Sequence, residues 1–158
     1  MTEAAGLVGD PLLSAQVKTA AIQIAEAVYA EGLDTDGSLL YEANPHRITL
    51  STSRVTNSDK HWWAQAEAVV GFYNAYQLSG DERYFRAARR AWDFIAARVI
   101  DHHYGEWYAL LKRDGTPYSE QENPDQHKVG PWKCPYHNSR ACLEMMERLN
   151  LMDSNANY

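Results

Sequence analysis

The residues best suited to chemistry lie in two short aromatic clusters, HWWAQAE at residues 61–67 and PWKCPYHN at residues 131–138. In the second cluster Pro131 and Pro135 restrict the backbone direction, and His137 follows directly. The spacing places His137 at or just before the first turn of a helix, where unpaired N–H groups and the helix dipole disfavour a positive charge. A neutral imidazole can accept a proton there, so His137 is a candidate base, although a lone histidine is also often structural.

In the first cluster, Trp63 and Glu67 stand four residues apart, so a helix would place a ring and a carboxylate on one face near its N-terminal end. The same spacing is typical of a packed tryptophan and a solvated glutamate. Trp132 adds a second ring close to His137. Flat amphipathic rings favour carbohydrate binding, and the chain holds five Trp and ten Tyr residues, but such rings are commonly core residues too.

Length, charge and cysteine usage exclude several classes of protein. A chain of 158 residues with 45% hydrophobic content predicts one packed domain. A formal net charge of −6 without a Lys/Arg run gives no footprint for nucleic acid or an anionic membrane, so a small neutral ligand fits better. Cys134 and Cys142 imply neither a disulfide framework nor a zinc site, which favours a reduced, cytoplasmic setting. No signal peptide or membrane-spanning run is expected.

No metal or organic cofactor is expected from motifs. His102 and His103 with Glu106 resemble metal ligands in type, but they lack a distant partner at a recognisable spacing. His46, His61 and His127 lie in or beside loops and are expected to be solvated. The chain has no phosphate-binding or dinucleotide-binding glycine loop and no nucleophile elbow.

Four helices are expected from periodicity and capping signals, at about residues 11–31, 61–78, 82–100 and 138–149. Short strands are expected at SLLYE and in a β-hairpin or bent strand pair around EWYAL, loops at residues 44–60 and 116–133, and a frayed tail at residues 151–158. The predicted apolar face of the first helix consists of Val17, Ala21, Ile24, Ala25 and Val28. That of the third helix consists of Phe85, Ala88, Trp92, Ile95 and Val99.

An internal repeat organises these elements. Gly9-Asp10-Pro11 before the first helix returns as Gly80-Asp81-Glu82 before the third, and each helix is followed by a strand, a polar loop, an aromatic cluster and another helix. This unit is typical of an all-α toroid in which outer and inner helices alternate, and two units cannot close such a ring. Residues 2–8 match the end of an inner helix, which predicts that the chain is truncated at its start.

Resemblance to the N-acylglucosamine 2-epimerase family is carried by three segments: DKHWWAQAEAVVGFYNAYQLSGDERY, GEWYALL and KVGPWKCPYHNSRACLEMMERL. The Pro-Tyr-His-Asn motif in the third segment is similar to the cellobiose 2-epimerase branch of that family. The resemblance implies an (α/α)6 barrel, of which residues 1–158 would form the C-terminal part, with about four helices and short β-hairpins. It also implies inversion at C2 of the reducing-end glucose of a β-1,4-linked disaccharide, without a metal or an organic cofactor.

The resemblance further implies a role for each candidate residue. His137 matches a catalytic histidine, Trp132 a tryptophan that packs on the sugar, and Trp63 a second one across the cleft. Glu67 matches a carboxylate near the reacting sugar. The implied reaction opens the sugar ring, removes the C2 proton to form a cis-enediolate and returns a proton to the other face, which requires two bases. The family's second histidine lies upstream of the matched region, so the isolated chain is expected to be inactive.

Three alternatives stay open from the sequence. Reprotonation of the enediolate at C1 would make the protein an aldose–ketose isomerase. A non-catalytic carbohydrate-binding module would keep Trp63 and Trp132 as sugar platforms. A half-barrel could instead form a homodimer that buries its exposed apolar helix faces. A half-barrel is also expected to be marginally stable or to aggregate.

Overall fold

The computed structural model describes residues 2–43, 55–124 and 127–155, with only the backbone described for residues 151–155. The described elements, in chain order, are the helices α1 (Thr2–Val8), α2 (Pro11–Glu31), α3 (Trp62–Ser79), α4 (Glu82–Phe94) and α5 (Tyr136–Asn155), and the strands β1 (Glu42–Ala43), β2 (Val55–Asn57), β3 (Lys60–His61) and β4 (Leu110–Leu111). A π-helical turn, Ile95–Val99, continues α4. In the described part of the chain, no helix has the length and apolar character needed to cross a bilayer.

Both units of the repeat begin with the same cap, as the sequence predicts. The Asp10 carboxylate accepts hydrogen bonds from the backbone N–H groups of Leu12 and Leu13, at 2.9 and 3.2 Å. Asp81 accepts one from Arg83 N at 2.9 Å. These bonds satisfy N–H groups that a helix start otherwise leaves unpaired. The predicted bounds of α2 and α3 agree with the structure to within one residue.

The last helix differs from its prediction at both ends. It begins at Tyr136 because Ser139 N donates to Pro135 O at 2.9 Å, so Pro135 already supplies the first helical acceptor. It continues to Asn155, and the expected fraying is therefore wrong for residues 151–155. Residues 156–158 lie outside the described part of the chain.

The strands arise from pairings between distant segments. β1 pairs with β2, and β3 pairs with β4, both antiparallel. The expectation of a loop over residues 44–60 is therefore wrong for β2 and β3, while residues 44–54 lie outside the described chain. The expected hairpin around EWYAL is only partly present, since Ile100 bridges to Trp107 but β4 turns away to pair with β3.

The core surrounds α3, which packs against α2, α4 and α5. Three aromatic rings connect α2, α3 and α4. Tyr29 of α2 lies edge-on to Phe72 of α3 and to Tyr84 of α4, with ring centroids 6.3 and 6.1 Å away. Phe72 and Tyr84 stack at 6.3 Å. Edge-on and offset contacts of this kind stabilise a core beyond the area that they bury. They join α3 to α2 and α4 in the core.

The predicted apolar faces of α2 and α4 are only partly buried. Ala88, Ile95 and Val99 are buried, but Phe85 and Trp92 stay 36% and 41% exposed. The latter two border an open apolar cavity of about 500 Å³ between α3, α4 and α5. Ile24 of α2 is 55% exposed as well, against the prediction. Periodicity identifies apolar positions, but whether a neighbour covers each position depends on the tertiary arrangement.

Candidate active site

The two aromatic clusters of the sequence meet at one cavity of about 610 Å³. Its wall comes from the end of β3 and the start of α3, from Ala109 just before β4, and from the segment that leads into α5 together with the first turn of that helix. The lining residues are His61, Trp62, Trp63, Ala109, His127, Gly130, Pro131, Trp132, Lys133 and His137. Trp63, Trp132 and His137 are therefore brought together as candidates, and Glu67 reaches the site through His137.

Tertiary packing places His137 in the first turn of α5, beside α3. Nδ1 of His137 lies 2.9 Å from Oε1 of Glu67, and Oε2 of Glu67 accepts a hydrogen bond from Arg140, one turn further along α5. The single carboxylate thus links α3 to two side chains of α5. Ala141, which is 4% exposed, closes the contact between the helices below this polar link.

The charge state of Glu67 determines which nitrogen of His137 could accept a proton. Partial burial raises the pKa of Glu67, but the hydrogen bonds and positive charge of Arg140 and the hydrogen bond of His137 outweigh it, so the pKa lies below its ordinary value of 4.5. An ionised carboxylate can only accept, and Nδ1 of His137 must therefore donate. The neutral imidazole then carries its lone pair on Nε2.

Aromatic rings surround His137 on several sides. Centroid distances to its ring are 5.1 Å from Tyr136, 5.9 Å from Trp63 and 6.3 Å from Trp62. Trp132, in contrast, is 92% exposed on the same cavity. The arrangement offers a proton acceptor beside flat apolar surfaces, which suits proton transfer at a carbon of a bound sugar.

His61 is a site residue that the sequence interpretation missed. It was expected to be solvated, but it is half-buried and stacks on Tyr41 with centroids 3.7 Å apart. Tyr41 lies edge-on to Trp63 at 6.1 Å. Burial lowers the pKa of His61, against the opposing charge of Asp59. His61 also pairs with Leu110 through the β3–β4 ladder, for which the sequence carries no local signal. His127 is exposed, as expected, although it too lines the cavity.

A second group of polar side chains lies next to the site, and it includes Asn138, which the resemblance implies as a supporting residue. Glu106 accepts hydrogen bonds from Lys133 and from Asn138, the residues that flank the His137 region. His102 and His103 do not join Glu106 in a metal site: Nε2 of His102 lies 2.6 Å from Ala96 O. Among the described side chains, those of residues 2–43, 55–124 and 127–150, no three His, Cys, Asp or Glu residues converge closely enough to hold a metal ion.

Residues 1–131 match the model of a protein family described as N-acylglucosamine 2-epimerase (GlcNAc 2-epimerase). The chain belongs to the N-acylglucosamine 2-epimerase family. This is a family of sugar 2-epimerases, and the mostly helical architecture agrees with the helical barrel of its members. The family match ends before His137, whereas the sequence similarity to individual relatives covers up to 94% of the chain.

Three known proteins illustrate what this chain is similar to. The cellobiose 2-epimerase of Bacteroides fragilis is 40% identical over 144 residues, which cover 91% of this chain and 34% of the relative. The crystal structure of a sugar epimerase from a ruminal bacterium superposes with a TM-score of 0.79 at 38% identity and covers 94% of this chain and 35% of that one. The D-mannose isomerase of Marinomonas mediterranea is 31% identical over 97 residues, 61% of this chain and 23% of the relative.

The chain spans about a third of the length of the cellobiose 2-epimerases that it matches.

Proposed function

We propose that this chain is the C-terminal part of an (α/α)6-barrel sugar 2-epimerase that acts on the reducing-end glucose of a β-1,4-linked disaccharide such as cellobiose. The observation that carries the proposal is the 2.9 Å contact of His137 Nδ1 with Glu67, beside Trp63 and in a cavity shared with Trp132. The relatives named cellobiose 2-epimerase support the choice of substrate. A cytoplasmic setting is part of the same proposal.

In the proposed reaction His137 acts through Nε2. The nitrogen first assists ring opening and then removes the proton from C2, and the electron pair left at C2 forms a cis-enediolate with the carbonyl at C1. Glu67 stabilises the resulting imidazolium because its ionised oxygen accepts from Nδ1. Trp63 and Trp132 hold the sugar by its apolar faces.

Inversion requires a second base on the opposite face of the planar enediolate, since one histidine can return the proton only to the side from which it came. We assign this base to the two thirds of the barrel that the relatives have and this chain does not span. On this proposal the isolated chain binds sugar without inverting it. Residues 2–155 alone would form a partial barrel.

An aldose–ketose isomerase is the second candidate function. The similarity to a D-mannose isomerase favours it, because the same enediolate gives a ketose when the proton is returned to C1. Two non-catalytic readings of the isolated chain also stand as alternatives: a carbohydrate-binding module that uses Trp63 and Trp132, and a homodimer that covers exposed apolar faces.

A chimera tests the proposed function. This chain would replace the matching third of the Bacteroides fragilis cellobiose 2-epimerase, and the purified chimeric protein would be incubated with cellobiose in D2O. We expect deuterium at C2 and the mannose epimer by NMR, and a fall of about 10²- to 10⁴-fold on His137→Asn, which is the usual contribution of a positioned acid or base. Ketose as the sole product would instead establish the isomerase.

The isolated chain provides the companion experiment. Titration with cellobiose should quench tryptophan fluorescence in a saturable manner, and Trp132→Ala should weaken the effect. The matched control is Trp92→Ala, since Trp92 is also partly exposed but borders the separate apolar cavity between α3, α4 and α5. Equal losses in both variants would contradict a sugar platform at Trp132. Light scattering of the same samples distinguishes a monomer from a homodimer.

A further inference from the structure

The turn formed by residues 101–106 is tied to the segment that carries Trp132 and His137 by side chains at two points. Lys128 Nζ donates to the Asp101 carboxylate and, at 3.1 Å, to Gly105 O. Lys133 Nζ donates to Glu106. Two lysines that bracket Trp132 therefore reach two carboxylates of one short turn.

The turn is itself firmly built around Asp101, which is 5% exposed. Its carboxylate accepts from the backbone N–H groups of His103 and Tyr104, at 2.9 and 3.1 Å, and its own N–H donates to Glu106 O at 2.9 Å. The hydrogen bond of Lys128, and then that of Tyr104 N, hold the pKa of Asp101 well below its usual range. Asp101 is thus a charged anchor at neutral pH.

Glu106 is the one non-glycine residue with a positive φ in the described chain, at 60°. Side chains with a Cβ atom disfavour this left-handed region, and such residues persist where surrounding contacts hold them. For Glu106 those contacts come from Lys133, which is 4% exposed, and from Asn138 Nδ2 at 2.9 Å, which is 6% exposed. His137 lies between them in sequence, so the Glu106 carboxylate joins both sides of the candidate base.

Trp132 has little support of its own. Gly130 N donates to Lys133 O at 2.9 Å, which closes a tight turn with Trp132 near its tip. The indole is 92% exposed and the neighbouring Val129 is 70% exposed. Packing therefore does not hold the ring in place, and the two lysine links at the ends of the turn restrict its position.

We propose that residues 101–106 form a support with two anchors: Asp101 positions Trp132 through Lys128, and Glu106 positions His137 through Lys133 and Asn138. These are positioning residues that do not touch the substrate. The proposal rests on the proposed function for the identity of the ligand, a disaccharide, but the two positional effects exist without any ligand.

The Glu106 anchor is tested by the ¹⁵N signals of the His137 ring in the 158-residue chain at a fixed neutral pH. Glu106→Gln removes the charge at equal size, and Glu106→Gly also relieves the left-handed backbone. Both variants should shift or broaden the His137 ring signals. Glu122→Gln serves as the control because it also removes the charge of a glutamate that pairs with a lysine, here Lys112, in a different part of the chain. Unchanged His137 signals in either folded Glu106 variant would overturn this half.

The Asp101 anchor is tested with Lys128→Met, which keeps the aliphatic stem. Backbone ¹⁵N relaxation at Gly130 and Trp132 should show increased fast motion, while the His137 signals stay as in the wild type. The Kd for cellobiose should rise about three- to fivefold, the scale of one partly exposed ion pair. Unchanged relaxation at Trp132 would overturn this half.

These experiments distinguish failure of the proposed function from failure of the proposed support. Absence of cellobiose binding by the wild-type chain would count against the proposed function, whereas the ring signals and the relaxation data still decide the support. In the active chimera, Glu106→Gln should reduce kcat by up to about 10²-fold with little change in KM, and Lys128→Met should raise KM with little change in kcat. The reverse pattern, or equal changes in both constants, would contradict the division of roles.

Discussion

The two helices that form the site, α3 and α5, occupy equivalent places in the repeat but are held by different forces. α3 has neighbours on three sides and buries Phe72 and Tyr73 almost completely. α5 packs mainly on α3, and Leu143 and Met146 remain 65% and 60% exposed. Its first turn is instead held by polar links from Glu67 and Glu106. Apolar burial thus holds α3 in place, whereas ion pairs and hydrogen bonds hold the first turn of α5, which carries the proposed base His137.

The largest expected effect concerns the apolar side of this comparison. Phe72→Ala removes a ring that is 2% exposed and packs on Tyr29 and Tyr84, so the free energy of unfolding should fall by about 3–5 kcal/mol. Leu143→Ala on α5 should change it by less than about 0.5 kcal/mol. Urea unfolding followed by circular dichroism checks both. Similar losses in the two variants would show that α5 is buried to the same extent as α3.

If the chain is too unstable for the Phe72→Ala variant to fold, a milder substitution at the same position gives the same test. Phe72→Leu keeps most of the apolar volume and should give an intermediate loss, smaller than that of Phe72→Ala.

The second effect concerns the link between the helices. Glu67→Gln leaves Nδ1 of His137 without its ionised acceptor, so the required tautomer is no longer favoured. We expect C2 deuteration by the chimera to fall by about 10²-fold, with stability changed far less. Glu144→Gln is the control, since Glu144 is also on the α5 side and pairs with Arg148. Full activity of Glu67→Gln would contradict the orienting role.

The third effect is a dependence on pH that α3 should not share. The folded pKa values of Glu67 and Glu106 both lie below the ordinary 4.5, so their links stabilise α5 above about pH 4.5 and are lost as the pH falls through the folded values. Hydrogen exchange, corrected for the intrinsic rate at each pH, should show the first turn of α5 opening before the core of α3. Simultaneous loss of protection in both helices would mean that they unfold as one unit.

The smallest effect sharpens the contrast at the open face of α5. Met146→Gln places a polar group on an exposed position that borders the apolar cavity. The free energy of unfolding should change by less than about 0.5 kcal/mol, while light scattering at high concentration should decrease because less apolar surface is exposed. A stability loss above 1 kcal/mol would reveal a packing role that the exposure of Met146 does not indicate.

Local signals in the sequence were enough for the bounds of α2 and α3, for the start of α4 and for the candidate residues. The Asp10 and Asp81 caps and the glycines that follow α2 and α3 act within a few residues, so these helix ends could be predicted closely, whereas the end of α4 and both ends of α5 could not. The spacing of Trp63 and Glu67 likewise follows from the helical period alone. The pairing of the strands could not be predicted, because β3 meets β4 across a long sequence separation and neither contains more than two residues.

What the sequence by itself determined is the repeated helical unit, the family motifs and the identity of His137, Glu67, Trp63 and Trp132 as candidates, since these depend on residue type and short spacing. Only the tertiary structure decided that Glu67 is the hydrogen-bond partner of His137, that His61 is half-buried, and that Glu106 joins Lys133 to Asn138. The physical reason is that a hydrogen bond or a buried contact between distant residues depends on how the helices pack, and no local pattern encodes that distance.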